Sequence, residues 1–277
     1  NIVFHCIIFP TMMKAHGDYI MPDNVPANEF LNLEDDKIST SRNWAVWAHE
    51  YLEDFPNQQD TLRYVLTANM PENKDNNFTW KDFQTKNNSE LVGILGNFIN
   101  RVMVLSHKYY EGIVPSKTIE FEELTEIKYF AKRIGDHLEK YEFRAALTEY
   151  MNLARLGNQF LQAQEPWKKG DDPEAVKGIM YAATQIAAAL GQLGEPFIPF
   201  ASEKMLAMMN VEKMSWDDLE STDEFVKSGH QLGQSELIFA KIEDEAIEAQ
   251  INKLNESKVK NNMTNPNAEP QKELISF

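Results

Sequence analysis

The chain has 277 residues, of which 43% are apolar, and its formal net charge is −16. A chain of this length buries one large core or two smaller ones, so we expect one or two domains. The acidity argues against a nucleic-acid-binding protein with a broadly basic surface. The charge is uneven, however, because residues 101–177 carry 12 basic and 13 acidic residues. That nearly neutral region can still hold RNA through a few placed cations.

Cys6 is the only cysteine, which rules out an internal disulfide and suits a reducing compartment, so we expect a cytoplasmic protein. No apolar run is long enough to span a membrane, and no membrane partner is expected. The first residue is Asn and the last residues are QKELISF. We therefore expect this chain to be a segment of a longer protein.

The opening IVFHCIIFPTMMKA predicts a strand that runs into a short helix, and EFLNLE predicts a second strand. The polar stretch EDDKISTSRN, residues 34–43, follows and predicts a loop. After it, RNWAVWAHEYLEDFP and QQDTLRYVLTANMP have the pattern of amphipathic helices, each closed by a proline. The remainder of the chain reads as mainly helical.

From Ser89 to Tyr110 apolar residues recur at steps of three and four, which places them on one stripe of a long helix. The stripe consists of Leu91, Leu95, Phe98, Val102, Leu105 and Tyr109. A second helix repeats the pattern with Ile127, Phe130, Ala131, Ile134 and Leu138, and EYMNLARLGNQFLQAQ continues it in a third. Short connections between such helices predict an antiparallel bundle.

A fourth helix is predicted to begin at DDPEAVKG, where Asp172 can cap and Pro173 fits the first turn. EPFIPFASEKMLAMMN predicts another helix after a proline-rich hinge. Residues 235–257 read as a strand or extended piece that leads into a charged helix. From about Lys258 the sequence is polar and rich in Asn, which predicts a linker.

Several segments, taken in order, resemble the methionyl-tRNA synthetase family of class I aminoacyl-tRNA synthetases. They are FHCIIFPTM, KISTSR, LRYVLTANMPENKDNNFTW, LGNFINRVMVLSHKYY, QAQEPWKK, FIPFASEKM, MSWDDL and LIFAKIEDE. The resemblance covers the chain up to the predicted linker. It implies the end of a catalytic domain in residues 1–56, a stem-contact connection in 57–86, an anticodon-binding bundle in 87–254 and a linker tail in 255–277.

KISTS, residues 37–41, resembles the family's mobile Lys-Met-Ser-Lys-Ser loop, which closes on ATP when the amino acid is activated. Negative charge grows on the departing pyrophosphate, and cations and hydroxyl donors stabilise it. Lys37, Ser39 and Ser41 keep the family's residue types. Thr40 replaces the family's second lysine, and Arg42 is the adjacent cation that can share its task. Without the resemblance, such a stretch is typical of a polar hairpin or a helix cap.

Phe4 and His5 match a Phe-His pair that helps to line the methionine pocket in the family. Aromatic surfaces hold a polarizable thioether well, so these residue types suit that role. Without the resemblance, a histidine in an apolar stretch is more often a satisfied core residue.

Trp167, in the Gln-Ala-x-Pro-Trp pattern, matches the tryptophan that stacks on the wobble base in the family, and Lys168 and Lys169 flank it. On the first long helix, residues 89–110, a stripe about 60° wide adjoins the core stripe, at roughly 100° per residue. It contains Asn97, Arg101, Val104 and Lys108. The alternatives are a tryptophan that packs at a helix junction and cations that are merely solvated.

The family's cytosine-reading Asn and Arg correspond here to Val104 and Lys108, and valine has no hydrogen-bonding side chain. The sequence does not decide whether Lys108, Asn100, Arg101 or main-chain groups near Trp167 replace them. It also leaves open the effect of Thr40 on activation.

The family's His-Ile-Gly-His signature is absent from these residues, as is its zinc-bearing insertion. We therefore predict that the 277 residues alone form no aminoacyl-adenylate, which a methionine-dependent pyrophosphate exchange assay checks. Detectable exchange would contradict the prediction.

The resemblance implies a methionine-tRNA ligase with tRNA for methionine, methionine and ATP with Mg²⁺ as substrates, and zinc only in the absent catalytic portion. It also implies a dimer through an absent C-terminal domain. Two alternatives remain: a non-catalytic acidic helical interaction module, and a class I synthetase for Leu, Ile, Val or Cys.

Overall fold

The computed structural model describes residues 2–264, with side chains up to Ser257, and within this range the chain is mainly helical with a small sheet. The first α-helices are α1 (Phe9–His16), α2 (Ala48–Asp54), α3 (Gln59–Ala68), α4 (Trp80–Lys86) and α5 (Asn97–Tyr110). The later ones are α6 (Glu122–Glu139), α7 (Phe143–Gln164), α8 (Pro173–Leu193), α9 (Pro199–Met209), α10 (Trp216–Ser221) and α11 (Asp244–Thr264). The predicted fold class is confirmed. No helix in the described range is long and apolar enough to cross a membrane.

The sheet has three short strands in the order β2 (Asp36–Lys37), β1 (Leu31–Leu33) and β3 (Asn76–Phe78). β1 pairs antiparallel with β2 and parallel with β3. EFLNLE thus contains a strand, as predicted. β3 ends one residue before α4, whose N-terminus is capped by Thr79. The sheet therefore connects the EDDKISTSRN hairpin directly to a helix of the bundle.

α4 and α5 belong to one uninterrupted helical run from residue 80 to residue 110, joined by a π-helix at Asn87–Gly96. At roughly 1.5 Å per residue this run is about 45 Å long. The Asn158 side-chain amide of α7 donates to the Ile94 carbonyl at 2.9 Å, which ties the π-helix to α7. The sheet lies at the N-terminal end of this run, because β3 ends just before α4 begins.

The bundle core contains the predicted stripes. Leu91, Leu95, Phe98 and Val102 are all fully buried, whereas Leu105 and Tyr109 are half-buried. α8 is buried along nearly its whole length, between α7, α9, α5 and α6. The buried cluster continues from Leu33 to Leu254, so the predicted boundaries at 56/57 and 86/87 fall inside one core.

The start of α8 is the one predicted. The Asp172 side chain accepts a hydrogen bond from the Ala175 backbone N–H at 3.0 Å, and Pro173 occupies the first helical position. Both features satisfy or remove backbone donors that the first turn leaves without a partner. This prediction is confirmed.

An extended segment, residues 231–243, runs along the bundle to α11. The side-chain amides of Asn87 and Asn88 donate to the Ala240 and Ile242 carbonyls at 2.9 and 2.8 Å, which holds the segment against the π-helix. The predicted extended piece followed by a helix is confirmed.

α11 packs against α2, where Gln250 donates to Asp54 at 2.8 Å and Lys253 pairs with Glu50 at 2.7 Å. The helix continues to Thr264, several residues beyond the predicted start of a linker. The rest of the predicted tail, residues 265–277, lies outside the described residues.

The predicted opening strand is wrong, because residues 4–8 form a π-helical turn that continues into α1. An apolar run is compatible with a strand only if neighbouring strands satisfy its backbone groups. In the described range the sheet contains β1–β3 only, so the segment makes its hydrogen bonds internally as a helix. Its apolar side chains, such as Phe4, Ile7 and Phe9, are exposed.

Candidate ATP loop and nucleic-acid interface

The KISTS segment belongs to a hairpin, one of the two conformations, hairpin or helix cap, that are typical of such a polar stretch. Ser39 and Trp44 exchange both backbone hydrogen bonds at 2.9 Å, which closes a loop of four residues between them. Trp44 is buried, and its indole N–H donates to the Leu33 carbonyl at 2.9 Å. The base of the loop is thus pinned to β1, while Thr40 and Ser41 at its tip are exposed.

The polar groups of this loop lie close together. The Ser39 and Ser41 hydroxyl oxygens are 3.2 Å apart, and the Lys37 ammonium lies 5.4 Å from the centre of the Phe30 ring. The structure therefore brings two of the predicted ATP-binding residues, Ser39 and Ser41, into contact, and it places the exposed Lys37 two residues before Ser39. Hydroxyl groups and a cation on one exposed loop are residue types suited to hold a polyphosphate.

Arg42 has a different position from the one expected for a substitute of the family's second lysine. Its guanidinium donates to the Lys37 carbonyl at 2.9 Å and pairs with Asp36 at 3.4 Å. These contacts stabilise the hairpin. For Arg42 to reach a triphosphate at the tip, the pair with Asp36 would have to open.

Phe4 and His5, the predicted methionine-pocket residues, lie on the exposed π-helical turn, with ring centres 5.6 Å apart. His5 lines a cavity of about 550 Å³ together with Cys6, Pro26 and Phe30, whereas Phe4 is not part of its wall. Phe30 also contacts Lys37. One aromatic residue thus separates this cavity from the loop.

Trp167 lies in a single 3₁₀ turn, Pro166–Lys168, between α7 and α8. Glu165 ends α7 in the left-handed conformation at φ 43°, and Pro166 is buried, so the turn is anchored while the indole remains 39% exposed. Lys168 pairs with Glu165 at 2.8 Å, and Lys169 donates to Gln164 at 3.1 Å. The two flanking lysines therefore hold the turn in this structure.

Arg101 of α5 reaches this turn, with its guanidinium carbon 5.1 Å from the centre of the Trp167 ring. A guanidinium over an indole is a favourable cation–π contact that restricts both groups. Among the described residues no carboxylate forms an ion pair with Arg101. Its N–H donors are therefore not engaged by a neighbouring acid.

The other predicted residues of α5 are exposed around Arg101: Asn97, Asn100, Val104 and Lys108. The Lys108 ammonium lies 5.4 Å from the Tyr109 ring centre, one helical turn beyond Val104. An indole and a guanidinium are thus in contact, and two exposed amides and an exposed ammonium lie on the same helix as the guanidinium. Aromatic faces beside hydrogen-bond donors are what unpaired RNA bases need for stacking and edge recognition.

Sequence reasoning missed the residues that hold the hairpin to the bundle, among them Glu34 and Asn77. The start of α4, to which Glu34 binds, does have a local signal, because Thr79 and Asp82 fit the Ser/Thr-x-x-Glu/Asp pattern of a helix start. The pairing of Glu34 with the start of α4 has no local signal, because the two are 46 residues apart.

A short hairpin loop joined to a helical bundle that carries an exposed aromatic turn agrees with the resemblance to class I aminoacyl-tRNA synthetases. Residues 1–103 match the model described as tRNA synthetases class I (M), and residues 116–258 match the anticodon binding domain of methionyl tRNA ligase. The second match covers more than half of the chain, which therefore belongs to the methionyl-tRNA ligase anticodon-binding family. The resemblance drawn from the sequence is confirmed.

Curated relatives agree with this assignment. The methionine–tRNA ligase of Flavobacterium psychrophilum is 60% identical over the whole chain, and that of Christiangramia forsetii is 58% identical. The chain spans 41% and 42% of their lengths.

Solved structures are similar in fold. Mycobacterium tuberculosis methionyl-tRNA synthetase in its free state matches 87% of this chain with a TM-score of 0.75 at 19% identity. The same enzyme in complex with methionyl-adenylate matches 86% with a TM-score of 0.76. In both cases the match covers 48% of the longer chain.

Proposed function

We propose that this chain is the part of a methionine–tRNA ligase that recognises the tRNA anticodon and carries the loop that closes on ATP. The observation that carries the proposal is the Arg101–Trp167 contact, because it joins two predicted recognition residues from separate elements at 5.1 Å. Arg101 contacts the indole, which is still 39% exposed, and a base stacks on the exposed part in this proposal. Stacking on the exposed face then places the base edge near the donors of α5.

In this proposal the donors of Arg101 and Lys108, with the amides of Asn97 and Asn100, take the place of the family's cytosine-reading pair. Cytosine presents acceptor groups on its pairing edge, and both cations are donors without acceptor capacity. Val104, 50% exposed, supplies apolar surface between them.

The hairpin performs the second part of the proposed activity. The Lys37 ammonium and the Ser39 and Ser41 hydroxyls stabilise charge on the pyrophosphate as the methionine carboxylate attacks the α-phosphate. Mg²⁺ enters with ATP, bound through the phosphate oxygens. In this proposal His5 and the cavity beside it hold the methionine side chain, with Phe4 on the same helical turn.

The proposed setting is cytoplasmic, consistent with the single exposed thiol of Cys6. Among the described residues no group of three His, Cys, Asp or Glu side chains is arranged to hold a metal. We assign the family's zinc, and dimerisation, to parts of the relatives that this chain does not cover. The exposed apolar face of residues 2–16 is proposed to pack against further catalytic-domain structure, since apolar patches of this kind mark contact surfaces.

The experiment that tests the proposal is a titration of the chain with methionine tRNA carrying its CAU anticodon, and with the same tRNA carrying one changed anticodon base. Salt is held fixed, because phosphate contacts make affinity salt-dependent. Tighter binding of the CAU form is the expected result. Equal or undetectable binding of both would instead favour an acidic helical interaction module.

Arg101→Ala is expected to weaken binding of the CAU tRNA about tenfold, because the cation–π contact and its hydrogen-bond donors are lost together. Arg101→Lys is expected to recover only part of the loss, since an ammonium neither stacks on the indole nor offers the same fork of donors. The control is Lys140→Ala, which removes an exposed cation from the end of α6. An affinity for Arg101→Ala equal to that of the control would contradict the assigned role.

A further inference from the structure

The turn between β1 and β2 has a backbone that its residues do not favour. Glu34 and Asp35 adopt φ values of 48° and 60°, the left-handed region. Two-residue hairpin turns of this type usually contain Asn-Gly or Asp-Gly, because the Cβ atom of most other residues is crowded at positive φ. Such conformations persist when the surrounding structure holds them. The left-handed backbone of Glu34 and Asp35 must therefore be held by contacts from neighbouring residues.

β3 supplies those contacts. The Glu34 backbone N–H donates to the Phe78 carbonyl at 2.9 Å. The Asp35 backbone N–H donates to the Asn77 side-chain oxygen at 3.0 Å, and the Asn77 amide donates back to the Asp35 carboxylate at 2.7 Å. Both turn residues are thus fixed by one neighbouring strand.

The Glu34 carboxylate makes the next connection, accepting a hydrogen bond from the Trp80 backbone N–H at 2.7 Å. Trp80 is the first residue of α4, so this N–H has no partner within the helix. A carboxylate at this position also interacts favourably with the helix dipole, and charge-assisted hydrogen bonds of this kind are among the stronger ones. Glu34 therefore ties the turn to the start of the 80–110 helical run.

The Glu34–Asp35 turn sets the position of the KISTS loop that follows it. Lys37 follows Asp35 by two residues and lies on β2, whose register with β1 is fixed by the turn. A shift of the turn moves Lys37 relative to Phe30 and moves the Ser39–Trp44 closure with it. Neither Glu34 nor Asn77 belongs to the predicted polyphosphate-binding set.

We propose that Glu34 and Asn77 are positioning residues for ATP activation, holding the hairpin so that Lys37, Ser39 and Ser41 meet the triphosphate. They act through the turn and do not touch ATP. This inference rests on the proposed function, because it presupposes that the hairpin binds ATP.

The test uses a complete ligase, the Flavobacterium psychrophilum relative with its matching segment replaced by these 277 residues. Glu34→Ala is expected to raise KM for ATP about tenfold in methionine-dependent pyrophosphate exchange, the change expected when one capping hydrogen bond is lost. KM for methionine is expected to stay unchanged. Asn77→Ala is expected to have the same signature.

Glu34→Gln is the conservative variant, because its side-chain oxygen can still accept from Trp80, and it is expected to recover most of the affinity for ATP. The matched control is Glu53→Ala, an exposed acid on α2, expected to match the unsubstituted chimera. Thermal unfolding and tRNA affinity are measured for every variant. Loss of the capping bond lowers the unfolding temperature in either case, whereas a merely structural role would also change the tRNA affinity and raise both KM values together.

The outcomes separate the two proposals. An unsubstituted chimera without exchange activity would overturn the proposed function and this inference with it. An active chimera in which Glu34→Ala and Asn77→Ala leave KM for ATP unchanged would overturn the inference alone. So would a rise in KM for methionine equal to that for ATP, or a Glu34→Gln variant as impaired as Glu34→Ala.

Discussion

Trp167→Ala is expected to abolish discrimination between the CAU anticodon and an anticodon with one changed base. Stacking of a base on an aromatic side chain contributes about 1–3 kcal/mol, so affinity for the CAU tRNA should fall between roughly fivefold and 150-fold. The fall should exceed that for the mismatched tRNA, because a base that no longer stacks cannot present its edge to α5. Parallel titrations with both tRNAs at one salt concentration measure the effect.

Two further variants give this prediction its controls. Trp167→Phe keeps an aromatic face, although a smaller one, and should retain part of the discrimination. Tyr129→Ala removes another exposed aromatic residue, 58% accessible on α6, and should change nothing. If Trp167→Ala still discriminates as well as Tyr129→Ala, the indole only packs at the helix junction and the recognition site lies elsewhere.

Phe98→Ala is expected to lower the free energy of unfolding by about 3–5 kcal/mol, the usual cost of removing a buried aromatic side chain. Phe98 is fully buried where α5 meets α7. A Cβ added at Gly157 of α7 would lie only 2.5 Å from the ring of Phe98, so the two helices approach as closely as a glycine permits. Chemical denaturation measures the loss, and tRNA binding should weaken too because these helices position Arg101 and Trp167.

The same contact gives a reciprocal test. Gly157→Ala should destabilise the bundle by about 1–3 kcal/mol through overpacking, despite the higher helix propensity of alanine. Combining it with Phe98→Leu should produce less destabilisation than the sum of the two single changes, because each relieves the other. Val104→Ala, on the exposed face of α5, is the control and should stay within about 0.5 kcal/mol of the parent. A fully additive double variant would contradict the close approach.

Local patterns predicted much of this fold. The repeat from Leu91 to Val102 defines a buried stripe that depends on helix geometry alone, and Asp172 caps α8 through a group three residues away. Such features are encoded within a few residues of each other. For the same reason the long helices and the mainly helical class follow directly from the sequence.

Features that depend on residues far apart in the chain could not be predicted from local sequence patterns. The opening apolar run has strand composition, but its conformation depends on which strands lie beside it. The contact of Arg101 with Trp167 requires α5 and the turn after α7 to be placed together, and no spacing in the sequence specifies that. Residue type and resemblance singled out both residues, whereas only the fold shows that they touch.

The π-helix between α4 and α5 limits where this chain can accept an insertion or a deletion. Its i to i+5 hydrogen bonds set the angular phase of α5 relative to α4. Deleting one residue from Asn87–Gly96 would rotate everything beyond it by roughly a quarter of a turn, because a π-helix has more than four residues per turn. Arg101 would then turn away from Trp167 although every later residue stayed the same. Substitutions in this segment are therefore expected to be tolerated far better than single insertions or deletions. The helical run therefore sets the direction in which Arg101 and Lys108 face relative to the hairpin, as well as their distance from it.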